Sequence, residues 1–130
     1  MTTELFYLTL TTLLTGTLWI PYIVNRIAVR GLGEAMGYPD TPKPQSPWAQ
    51  RLMKAHQNAV ENLVVFTALV LVANAMEIGT ESTAIASMVY FWMRLAHAVA
   101  FTFKIPLVRT FSFFISFGAQ MVFVWTLLTA

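Results

Sequence analysis

The sequence predicts an all-α fold: an integral membrane bundle of four helices running up and down. Three observations lead there. Of the 130 residues, 57% are hydrophobic and 11% charged, against about 25% charged in a typical soluble domain. Four apolar runs are each long enough to cross a bilayer core of about 30 Å, which takes about 20 helical residues. The second and third breaks between these runs are short, so successive helices run antiparallel. One domain covering residues 1–130 accounts for this length.

The first helix is expected over residues 3–25, because Leu5 to Val24 carries no charge. Glu4 stands where a secretory signal would carry a basic segment, so the run reads as a retained span. Pro21 is placed to kink it near its end. Asn25 to Pro47 reads as a basic loop, broken by Gly31, Gly33, Gly37, Pro39, Pro42 and Pro44. Ser46-Pro47 reads as an N-cap followed by proline at the first helical position. The second helix, residues 47–76, should be roughly 45 Å long at about 1.5 Å per residue, and its first third should project beyond the hydrocarbon. An acidic turn follows. The third helix is expected over 83–103 and, after a break at Ile105-Pro106, the fourth over 107–129.

Arg26, Arg30, Lys43, Arg51, Lys54, Lys104 and Arg109 gather at the first and third connections, whereas the N-terminus and second connection carry Glu4, Glu77 and Glu81. The positive-inside rule then places both termini outside and the basic connections in the cytosol. The net charge of +2 is small and the cations are dispersed, which argues against nucleic acid as a partner. Cysteine is absent, which excludes disulfides, cysteine metal sites and a protein thiol nucleophile. The two histidines lack metal-ligand company, so no metal site is expected.

Two polar stripes interrupt the apolar runs. At about 100° per residue, Arg51, Lys54, Asn58, Glu61 and Asn62 fall within an arc of roughly 100° on the second helix, with His56 nearly opposite and Gln57 to one side. On the third helix Tyr90, Arg94, His97, Phe101 and Lys104 share a face. An ionisable group facing lipid costs at least about 2 kcal/mol, so Glu61, Arg94 and Arg109 should face protein or a wet cavity open to the cytosol. One four-helix bundle has a narrow interior, and several subunits sharing a site accommodate both stripes more easily. Arginines and Lys54 suit carboxylates, Glu61 suits an ammonium group, and Asn58 and Asn62 can donate and accept. A zwitterion with two carboxylates and one amine matches that inventory. Glutathione is one, and it brings the thiol that this chain lacks; a neighbouring cation favours the nucleophilic thiolate.

The run Arg51-x-x-Lys54-Ala55-His56-x-Asn58-x-x-Glu61-Asn62 resembles the signature of the membrane-associated proteins in eicosanoid and glutathione metabolism, the MAPEG family. Arg94-Leu-Ala-His97-Ala-Val-Ala-Phe101 and Pro106-Leu-Val-Arg109-Thr110 resemble its third helix and the start of its fourth. The resemblance, to bacterial-type members, spans essentially the whole chain. It implies an inner-membrane homotrimer with glutathione bound between neighbouring subunits and a hydrophobic electrophile as second substrate. It further implies that Asn58 and Glu61 contact glutathione, Glu61 at the amino end, and that Arg109 stabilises the thiolate. Thr110 falls where some members have serine, and His97 falls at a site-lining histidine. Arg51, Lys54 and Arg94 are candidate ligand contacts, and Arg26 and Arg30 are both candidates for the basic residue ending the first helix. Gln57 stands in place of an arginine of other members, and Phe101 and Phe113 in place of tyrosines.

Each residue also has a plainer reading. His56 lies off its stripe, as a packing residue would. Glu61 could pair with Arg51 or Lys54, and Arg94 could bridge the second and third helices. Lys104 and Arg26 fit a position near lipid phosphates. Two other functions fit the same helices. A small proton-coupled exporter would need an essential acid, and Leu5–Val24 has none, which leaves Glu61. A non-catalytic assembly module would keep the stripes for packing alone.

Overall fold

The computed structural model describes Met1–Ala130. Six helical segments follow one another: α1 Thr3–Thr17, α2 Trp19–Arg30, α3 Leu32–Met36, α4 Pro47–Ala75, α5 Glu81–Thr102 and α6 Pro106–Leu128. Thr3–Arg30 taken together, α4, α5 and α6 are each long and apolar enough to cross a membrane. The chain is an all-helical integral membrane bundle, as the composition predicts. Within it α1 packs on α4 and α5, and α6 packs on α5 and α4.

The first span departs from expectation. It does not end near Val24 but continues to Arg30, and its irregularity falls at Leu18. Pro21 supplies no N–H to the carbonyl four residues earlier and its ring crowds that carbonyl, so the regular ladder is interrupted just upstream. Arg26 and Arg30 are therefore helical, not part of a loop. α2 stops at Gly31, whose φ of +81° suits a residue without Cβ. Arg30 Nη2 then donates to the Thr41 carbonyl at 2.9 Å and holds the remaining loop against the helix end.

α4 begins with Ser46 at the N-cap and Pro47 in the first turn. The Ser46 hydroxyl does not cap the helix; it accepts from Asn25 Nδ2 at 2.9 Å, while Asn25 Oδ1 accepts from the Ser46 N–H at 3.1 Å. A buried asparagine on α2 thus pins the start of α4. At the other end, Thr80 and Thr83 form a reciprocal capping box before α5. The Thr83 hydroxyl also donates to buried Glu4 at 2.9 Å, tying α1 to α5.

α4 and α5 terminate alike. Ile78 N–H bonds back to Ala73 and Ile105 N–H to Ala100, around Glu77 at φ 57° and Lys104 at φ 61°. These are Schellman turns whose left-handed position, usually glycine, holds a charged residue. Lys104 consequently lies past the end of α5, and the α5 stripe stops at Phe101.

The core lies towards the acidic end, which carries Glu4, Glu77 and Glu81. Phe66 stacks on Tyr90 with ring centroids 3.9 Å apart and meets Phe123 edge-on at 5.9 Å. Leu8, Val70, Ala73, Ala86 and Ala119 complete the cluster. Thr11 and Thr15 are also buried; each hydroxyl bonds its own helix four residues back, so no polar atom is wasted. Small side chains allow the close helix approach on which packing in lipid depends.

Phe66→Ala should destabilise the detergent-solubilised protein by about 3 kcal/mol, the low end for truncating a buried phenylalanine, because the surrounding solvent is itself apolar. Phe111→Ala, at an exposed site on α6, should leave thermal unfolding nearly unchanged. Equal effects of the two variants would refute the assignment of the core.

Candidate functional site

The α4 stripe divides into an inward and an outward half. Arg51, Asn58 and Asn62 are half-buried, whereas Lys54 and Glu61 are exposed. Arg51 Nε donates to the Thr102 carbonyl at 2.9 Å, capping the last turn of α5. Asn58 Oδ1 accepts from Arg94 Nη2 and from Asn62 Nδ2. Asn62 Nδ2 also donates to the Asn58 carbonyl, and Gln120 Nε2 reaches from α6 to the Asn62 carbonyl at 3.2 Å. One polar layer thereby joins α4, α5 and α6.

Arg94 bridges the second and third long helices, the plainer of its two sequence readings. Its relative exposure is 2%, and that of His97 is 3%. Arg94 Nε and Nη1, the Tyr90 hydroxyl and His97 Nδ1 have no hydrogen-bond partner. His97 packs between the rings of Phe101 and Phe113, at centroid distances of 5.7 and 6.2 Å. A buried guanidinium with one side-chain partner carries a large desolvation cost, and this cluster forms a polar interior within the bundle.

The outward half lines a groove of about 600 Å³ with Tyr22, Gln50, Met53, Lys54, His56, Gln57 and Val60, reaching Glu61. His56 Nδ1 lies 2.8 Å from the Tyr22 hydroxyl, with the two rings tilted together. His56 therefore packs against α2, as its off-stripe position predicts, yet shares the groove with Lys54 and Glu61. Glu61 pairs with neither Arg51 nor Lys54; Gln57 Nε2 donates to it at 3.3 Å. Its carboxylate has further acceptor capacity for a ligand ammonium.

A second pocket, of about 280 Å³, opens at the basic end between α4, the end of α5 and the start of α6. Arg51, Ala100, Phe101, Lys104, Ile105, Pro106 and Arg109 line it. Arg109 Cζ sits 5.0 Å from the Phe101 ring centroid, in cation–π range. The Thr110 hydroxyl is exposed and donates to the Pro106 carbonyl at 3.2 Å, leaving its lone pairs free. A further groove of about 570 Å³, at the acidic end around Glu4, Asn74 and Glu77, holds none of the candidate site residues.

Within one chain, then, most of the candidates fall into three groups. Arg51 and Arg109 share a pocket, Lys54 and Glu61 share a groove, and Asn58, Arg94 and His97 lie in the polar interior. Arg26, half-buried on α2, and Thr110, exposed next to Arg109 on α6, belong to none of these groups. Sequence reasoning did not single out Tyr22, Asn25 or Gln120. Each is an uncharged polar residue in or beside a long apolar run, invisible when such runs are judged by charge. The signal available for Tyr22 was its place just after Pro21, where the first span is interrupted.

The buried pair yields a direct test. Arg94→Ala leaves Asn58 Oδ1 without its cross-helix donor and opens a cavity where a buried side chain lay, and should cost about 3 kcal/mol. Both variants remove the desolvated charge, but Arg94→Met, similar in length, also fills the space and should cost less. Denaturant unfolding in one detergent compares them; a methionine variant less stable than the alanine variant would refute this account.

Comparison with known families places this geometry in context. No curated protein matches the chain. The family model described as the MAPEG family matches residues 5–129, which takes in the four spans but for Thr3 and Glu4, and every residue of both motifs. By that match the chain belongs to the MAPEG family, whose membrane proteins include glutathione transferases and peroxidases among other members.

Proposed function

We propose that this protein is a glutathione-dependent membrane enzyme of the microsomal transferase or peroxidase type. It adds the glutathione thiolate to a hydrophobic electrophile or uses it to reduce a lipid peroxide. The observation that carries the proposal is Arg109. It is an exposed cation at the first turn of a membrane helix, with no carboxylate within ion-pair distance and an aromatic ring beneath it. Such a cation is free to hold a thiolate, and the aromatic and apolar wall limits the water that competes for the charge.

The rest of a glutathione site is supported by complementary chemistry. Glu61 has room for the ligand ammonium, and Lys54 and Arg51 suit its carboxylates. Asn58 holds its carbonyl oxygen towards Arg94 and Asn62, so its amide N–H groups are the ones left for a ligand acceptor. Thr110 sits one residue beyond Arg109 and offers acceptor capacity.

The Lys54–Glu61 groove and the Arg109 pocket share no lining residue. A homotrimer that sets the groove of one subunit against the pocket of the next would unite them. The basic connections favour a site on the cytosolic side, with the apolar substrate arriving from lipid.

A glutathione titration of the detergent-purified protein, followed by thiolate ultraviolet absorbance at neutral pH, tests the proposal. The wild type should give a saturable signal, absent in Arg109→Ala. Turnover of an aryl halide electrophile should fall about 100-fold in the same variant, the usual loss on removing one anion-stabilising group, while the oligomer persists. Undiminished turnover would remove Arg109 from the mechanism, and no binding at millimolar glutathione would overturn the reading.

A further inference from the structure

The groove of about 570 Å³ at the acidic end takes no part in the proposed thiol chemistry. It shares no lining residue with the Lys54–Glu61 groove or the Arg109 pocket. Its lining includes Glu4, Asn74 and Glu77 against an apolar wall of Val70, Ala73 and Ile78, and no lysine, arginine or histidine. Glu4 is more than nine-tenths buried, at a relative exposure of 8%. One of its carboxylate oxygens accepts from the Thr83 hydroxyl at 2.9 Å; the other has no donor in the chain and is not sealed from the groove. Glu4 lies in the first turn of α1 and Thr83 in the first turn of α5, and helix N-termini favour the charged carboxylate. The chain's ion pairs are Arg30 and Lys43 with Glu34, so no cation meets this buried anion.

The end of α4 adds an independent observation. Ala73, Asn74, Glu77 and Ile78 belong to its last turn and the Schellman closure beyond it. The C-terminus of a helix favours cations, yet the last turn of α4 carries no basic residue. Glu77 stands there instead, at a φ of 57° that glycine adopts freely and a residue with Cβ does not. The backbone and the helix dipole both disfavour an acid at this position. A cation in the groove would offset the charge of Glu77, of the helix end and of Glu4 together.

We propose that the free oxygen of Glu4 and the Glu77 carboxylate, at the end of α4, form a binding site for an organic ammonium group carried on an apolar body. The ammonium donates to the two carboxylates, and the body lies against Val70, Ala73 and Ile78. The volume is that of a small-molecule site. The chain brings no third acid or histidine to the pair, so it does not make a metal site. A free amine and the amino headgroup of a lipid share the required chemistry. The inference does not depend on the thiol reading, because the groove lies apart from the thiol-site residues and its occupancy can be measured without glutathione.

Scintillation proximity binding of tritiated phenylbutylamine to the immobilised, detergent-purified protein provides the test. The competitors are unlabelled phenylbutylamine, the neutral phenylbutanol, a short-chain phosphatidylethanolamine and a short-chain phosphatidylglycerol. The wild type should bind the amine saturably, and phenylbutanol and phosphatidylglycerol should not displace it. Glu77→Gly removes a charge while relieving the backbone, so lost binding is not confused with lost folding. It should weaken binding about fivefold, the worth of one exposed ion pair. Glu4→Gln keeps an oxygen for Thr83 and should weaken it about 30-fold, as losing a buried charge partner does. Displacement by phosphatidylethanolamine as well identifies a lipid headgroup as an occupant; displacement by the free amine alone identifies a free amphiphilic amine. No saturable binding, equal displacement by phenylbutanol, or binding unchanged in Glu77→Gly or Glu4→Gln overturns the proposal.

Discussion

Hydrocarbon offers no hydrogen-bond partner, and most of this molecule is arranged around that constraint. A polar group on a spanning helix must bond to its own backbone, meet another helix, or lie where water reaches it. The threonines of α1 take the first course. Asn58, Asn62, Arg94 and Gln120 take the second and in doing so tie together α4, α5 and α6. Lys54, Glu61, Lys104 and Arg109 take the third, in the open groove and pocket.

The two ends of the bundle follow from the same constraint. At the acidic end Glu4 lies at the start of α1 and accepts from Thr83 at the start of α5, where helix N-termini favour negative charge. At the basic end Asn25 pins α4 to α2, and Arg51 supplies a donor to a terminal carbonyl of α5. These contacts position the polar grooves. Arg94 makes a contact of the same kind in the interior, where it holds Asn58 Oδ1.

Much of the candidate site was legible because its residues are charged and recur at helical spacing. Arg51, Lys54, Asn58 and Glu61 share one stripe on α4, and the structure keeps all four on one helix. The division of that stripe was not legible, because an arc of roughly 100° spans both a face packed on α5 and a face turned outward. Packing settles which residue lies on which side. Lys104 illustrates a different limit: it has the right spacing for the α5 stripe, but a Schellman turn ends the helix before it.

By itself the sequence determined the class of molecule, four membrane spans with basic and acidic ends. It did so because bilayer thickness sets helix length and because charge is excluded from hydrocarbon. It also carried the family motifs, which are local strings of residues. The tertiary structure decided that the first span runs on to Arg30, since a proline can interrupt a helix without ending it. It also decided that Arg94 turns inward to Asn58, that Tyr22 meets His56 and that Arg51 shares a pocket with Lys104 and Arg109. Each of these brings together residues from different parts of the chain, and helical periodicity describes one helix at a time.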